Sequence, residues 1–171
     1  FLRSTCVKKS ILLAAFFIFF TARAEATTLQ QQINNRIQVS IKNLNLESKK
    51  YATDSDYFKF SLKSKEVITV DINHDGIKDK IIVLNFCEET NCHPTTMSSE
   101  VAVFIGKKDQ KFNFLDSKYF AVTASIQKDK KGHINVHQYD YFEDDGHCCP
   151  RRLTKFNLTV KNGKLISSKI N

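Results

Sequence analysis

From residue 57 to residue 170 the chain is a succession of short apolar segments divided by turn residues. Residues 57–62 alternate (YFKFSL), and 66–72 carry Val67, Ile68, Val70 and Ile72. Residues 80–86 form a dense apolar run (KIIVLNF), and the series continues through 100–105, 111–115, 119–126, 133–141, 153–160 and 164–170. Asp75-Gly76, Gly106-Lys107, Lys131-Gly132 and Asn162-Gly163 punctuate it. Asn and Gly both tolerate positive φ, so Asn162-Gly163 predicts a two-residue hairpin. Many short strands at regular spacing predict an antiparallel, sheet-dominated domain. Nothing repeats at a fixed period, so a propeller or solenoid is not expected.

One helix precedes the strands. Leu29, Ile33, Ile37, Ile41 and Leu44 recur at spacings of three and four, with Gln, Asn, Arg and Lys between them. Thr27 or Thr28 can cap it. A polar stretch, 47–56, follows. The expected fold is therefore α+β, mainly antiparallel β, with one N-terminal amphipathic helix packed on a meander-like sheet.

The first residues have a different character. Arg3, Lys8 and Lys9 precede an uninterrupted apolar run at 11–20, and Ala22-Arg23-Ala24 is a small-x-small cleavage site. That order describes a secretory signal peptide over 1–24 and a single β-rich domain over 25–171. A spanning helix needs about 20 apolar residues, so the run is too short for an anchor. A periplasmic or secreted location follows. The chain carries a formal charge of +8, and loss of Arg3, Lys8, Lys9 and Arg23 with the signal leaves +4. The excess lysines fall in presumed turns, and no aromatic-interleaved basic stripe marks a nucleic-acid binder.

The segment with most chemistry is 71–79 (DINHDGIKD). Oxygen side chains stand at loop positions 1, 3, 5 and 9, Gly76 at position 6, and the Ile77 carbonyl at position 7. A hard cation gathers oxygens from one tight loop by that spacing. Asp71, Asp75 and Asp79 repel one another without a cation. Position 12 is Ile82 and the flanks are strand-like, which excludes an EF-hand. The competing reading is a metal-free hairpin in which Asx side chains bond their own backbone.

Four cysteines follow the leader: Cys87, Cys92, Cys148 and Cys149. An even count in an exported chain reads as disulfides. Crossed bridges from Cys87 and Cys92 to the adjacent pair are slightly preferred, with Cys87–Cys92 the other choice. Zinc held by these cysteines, His93 and His147 is the third reading, although the spacing fits no usual zinc module. The acidic run at 140–145 (DYFEDD) reads as a solvated turn. His133, Asn135 and His137 are expected on one exposed polar strand face, with Ile134 and Val136 on the other. No residues are assigned to catalysis, since no nucleophile elbow or Gly-rich phosphate loop is present.

The 71–79 loop resembles the calcium loop of FG-GAP and VCBS-type modules, in which Asp-x-Asn-x-Asp-Gly-x-x-Asp joins two strands. That resemblance implies Ca2+ as the cofactor, Asp71, Asn73, Asp75 and Asp79 as side-chain ligands, and Ile77 as a backbone ligand. Position 4, usually small in those modules, is His74 here. With Gly146-His147-Cys148-Cys149-Pro150 and the terminal Asn-Gly-Lys-Leu hairpin, residues 67–170 resemble small bacterial secreted or periplasmic proteins of unassigned function, and more loosely mycobacterial LppP/LprE-type lipoproteins. The expectation is an exported, noncatalytic, monomeric module that binds a protein or glycan of the envelope. A periplasmic inhibitor or immunity-type protein that plugs a hydrolase through 140–145 ranks second, and a Cys/His metalloenzyme third.

Overall fold

The computed structural model describes residues 28–52, 57–129, 133–146 and 150–170. The leader at 1–24 and Cys148 and Cys149 lie outside these residues. A single α-helix, α1 (Leu29–Tyr51), precedes eight strands among the described residues. These are β1 (Phe60–Val70), β2 (Asp79–Glu88), β3 (Met97–Gly106), β4 (Phe112–Phe120), β5 (Ala124–Lys128), β6 (Ile134–Asp140), β7 (Arg152–Lys161) and β8 (Lys164–Ile170).

Thr28 starts the helix through a capping box. Its hydroxyl accepts from the Gln31 amide at 3.2 Å, while the Gln31 side chain accepts from the Thr28 amide at 2.8 Å. The helix runs through Tyr51, well into the polar stretch expected to follow it. Its C-terminal half keeps a seam to β1, where Asn45 Oδ1 accepts from the Phe60 amide at 2.7 Å.

The strands form two antiparallel four-stranded sheets, in orders β1-β2-β3-β4 and β5-β6-β7-β8, where one meander-like sheet was expected. The break falls at 121–123, inside the segment read as one strand over 119–126. Conversely, 57–62 and 66–72 merge into the single strand β1. A bulge at Lys63, between the Leu62–Phe86 and Ser64–Asn85 rungs, reverses which face each residue presents. That reversal makes one strand read as two. Asn162 and Gly163 turn β7 into β8 with φ of 52° and 70°, as the sequence predicts.

Alternation along β2 and β3 divides the interior in two. Ile81, Val83, Val101 and Val103 point to the second sheet and meet Ala124, Ile126, Ile134, Val136, Leu158 and Leu165. Ile82, Leu84, Phe86, Ala102 and Phe104 point the other way and meet Ile33 of α1. The first sheet is thus a middle layer, buried on both faces, which explains the dense run at 80–86. No described helix is long and apolar enough to cross a membrane.

Candidate functional site

The β1–β2 connection carries the candidate site. Val70 and Asp79 form the last rung of the hairpin, and residues 71–78 loop out beyond it. Ile72 is buried between the sheets and roots the loop in the core. The turn itself needs two left-handed residues, His74 at φ 60° and Gly76 at φ 83°. A histidine rarely adopts this conformation, so position 4 carries backbone strain that the surrounding bonds must offset.

Those bonds come from the loop's own oxygens. The Asp71 carboxylate accepts from the Asp75 amide at 3.1 Å and the Gly76 amide at 2.9 Å. Asn73 Oδ1 accepts from the Asp75 amide at 3.2 Å, and Asp75 Oδ1 accepts from the Ile77 amide at 2.8 Å. Asn73 Nδ2 donates to Asp75 Oδ2 at 2.9 Å. Asp71, Asn73 and Asp75 are therefore drawn together on one side of the turn. An ionised carboxylate has about four lone-pair sites, so each of these carboxylates retains acceptor capacity for a hard cation.

Asp79 does something else in addition. It is fully buried, Oδ2 accepts from the Ile72 amide at 2.9 Å, and Oδ1 accepts from the Gly106 amide at 2.8 Å. It clasps the root of the loop to the end of β3. Gly106 permits the clasp, because a Cβ there would lie 2.2 Å from the Lys78 carbonyl oxygen. The sequence flagged Asp79 for its spacing and Gly106 as a turn residue, but not that the two meet. Among the described residues no three His, Cys, Asp or Glu side chains stand together as a metal-binding group.

Cys87 and Cys92 are joined to each other, with their Cα atoms 5.3 Å apart. This overturns the preferred crossed bridges and takes both sulfurs out of the zinc reading. The physical reason is local: the chain folds back beyond β2 before it enters the short 3-10 turn Pro94–Thr96. Five residues of separation suffice to bring the sulfurs together.

The acidic run is an exposed turn, as expected, and two arginines pin three of its carboxylates. Arg152 pairs with Asp140 at 2.5 Å and Arg151 with Asp144 at 2.9 Å, and Arg151 also pairs with Asp145. The Arg152 side chain, then the Tyr141 amide, hold Asp140 below the ordinary carboxylate range. Burial pushes Asp145 up, but the Phe142 amide and Arg151 outweigh it and its carboxyl also lies low. The two guanidinium groups flank the exposed ring of Phe142 at 6.0 and 5.8 Å.

Sequence reasoning missed a buried polar cluster under the helix. Glu100 of β3 is fully buried and bonds both Arg36 Nε and the Ser40 hydroxyl. Tyr119 donates to Ser40 Oγ at 2.9 Å and accepts from Arg36 at 2.8 Å. The available signal was Arg36 and Ser40, four apart beside the apolar stripe. On β6, Ile134 and Val136 enter the core while Asn135 and His137 share the outer face, as expected. His137 is nonetheless largely buried there.

The fold and loop define a three-layer domain, helix on sheet on sheet, with an Asx-rich hairpin at the edge of its middle layer. The chain matches no protein-family model, no curated protein and no solved structure.

Proposed function

We propose that this chain is an exported, noncatalytic binding module whose 71–79 hairpin is stabilised by calcium. The carrying observation is the convergence of Asp71, Asn73 and Asp75 around one strained turn. Those three side chains and the Ile77 carbonyl would hold the ion. Asp79 would contribute through its remaining lone pairs while it keeps the hairpin root closed. A divalent cation here offsets the repulsion between Asp71 and Asp75, so its effect is on stability.

The test is a thermal melt of the oxidised protein with calcium, with magnesium and with chelator. Calcium at about 100 times its dissociation constant adds about 2.7 kcal/mol. A calcium-specific rise supports the reading, and Asp71→Ala removes that rise. Superimposable melts sink it and leave a metal-free Asx hairpin.

A second reading has its own observation. The arginine-pinned loop presents Phe142 as a preorganised exposed aromatic, which suits a loop that inserts into a partner. The inhibitor reading then requires a 1:1 complex with an envelope hydrolase that Phe142→Ala weakens. Size-exclusion chromatography of the mixed proteins checks this, and unchanged elution rejects it.

A further inference from the structure

We infer that the outer face of the second sheet is a docking surface for an acidic polysaccharide, an inference that rests on the binding-module reading and names its ligand class. The register sets out what this face presents. The rungs Lys161–Lys164, Thr159–Ile166, Asn157–Ser168, Lys155–Ile170 and Leu153–Tyr139 lie on it, and Asn135, His137, Ser125 and Gln127 extend it across β6 and β5. Lys155, Lys161 and Lys164 are exposed there, and these rungs hold no carboxylate.

The arrangement carries a local cost. Lys161 and Lys164 stand directly opposite one another across β7 and β8, and like charges so placed are mildly destabilising. An anion above the pair relieves that repulsion. Next to them, Gln127, Asn135 and Asn157 run side by side across three strands. Gln127 and Asn135 each carry donors and an acceptor, which is what sugar hydroxyls require, whereas the Oδ1 of Asn157 is buried. Tyr139, 37% exposed, supplies an aromatic body at the far end.

A protein partner would call for a contiguous apolar centre. Leu153 and Tyr139 share one rung and Ile170 lies in the next, at one end of the face, while Ile166 stands apart and lysines and amides fill the remainder. Charge complementarity therefore selects a polyanion, and the amide row selects one rich in hydroxyl groups.

The experiment uses the oxidised protein as purified and polygalacturonate as the probe, with neutral dextran, poly-glutamate and anionic phospholipid vesicles alongside. Isothermal titration is expected to show binding to polygalacturonate that weakens with added salt, with dextran silent. The Lys155→Glu and Lys164→Glu double variant is expected to raise the dissociation constant about tenfold. Lys49→Glu with Lys50→Glu on α1 is expected to leave it unchanged. If the double variant melts early, Lys161→Gln with Lys164→Gln replaces it and is expected to weaken binding about threefold. Absence of polygalacturonate binding overturns the inference, as does equal loss in the α1 variant. Tighter binding to poly-glutamate or to vesicles overturns it too, and points to an acidic protein or a membrane. Calcium-stabilised melts without polysaccharide binding would remove this ligand while leaving the module reading in place.

Discussion

Two single residues decide the geometry of the candidate site. Asp79 is fully buried and satisfies two backbone N–H groups, one in the β1–β2 loop and one at the end of β3. Asp79→Ala leaves both donors unpaired at the root of the loop, and a denaturant titration is expected to show a loss of about 2–4 kcal/mol. Gly106→Ala attacks the same clasp from the other side, because its Cβ meets the Lys78 carbonyl. It is expected to cost about 3 kcal/mol or more, read in the same titration. At His137, burial first and Lys155 second hold the imidazole below its ordinary value. The unfolded chain then binds the proton more readily than the folded one. Stability is full above about pH 6.5 and falls as the pH drops through that value toward the folded pKa. Melts across that window are expected to slope less for His137→Gln. The spacing of oxygens at 71, 73, 75 and 79 was legible in the sequence. The second role of Asp79 was not, since its partner Gly106 lies 27 residues away.

Among elements, α1 is held by more than its apolar stripe. Glu100 is fully buried against Arg36, Ser40 and Tyr119, and the Arg36 guanidinium also lies 5.2 Å from the Phe114 ring centre. Removing one partner strands a buried charge. Arg36→Ala is expected to destabilise the domain by about 3–5 kcal/mol, and the joint Arg36→Leu, Glu100→Leu replacement by much less. A double-mutant cycle by thermal melts checks both. The helix face itself was legible from Leu29, Ile33, Ile37, Ile41 and Leu44. Its extension to Tyr51 was not, because contacts such as the Phe58 amide donating to the Ser48 hydroxyl tie down a stretch that carries no apolar periodicity of its own. The two-residue turn at Asn162-Gly163 was read correctly, because both residues carry their φ preference locally.

For the whole molecule, the Cys87–Cys92 bridge closes a small ring at one end of the middle layer. In the chain-entropy model such a ring is worth about 2 kcal/mol, less than a bridge over a long loop. Reduction is expected to lower stability by about that amount, and peptide mapping of the oxidised protein is expected to recover this pair. The antiparallel, mostly β character, the helix that precedes β1 and much of the strand series were legible in the chain, since alternation and turn residues act over a few neighbours. The division into two sheets, the fusion of two apolar runs through the Lys63 bulge, the choice of cysteine partner and the clasp between Asp79 and Gly106 arose only on folding. Each depends on which distant segments pack together, and that choice is set by burying two faces of the middle sheet at once.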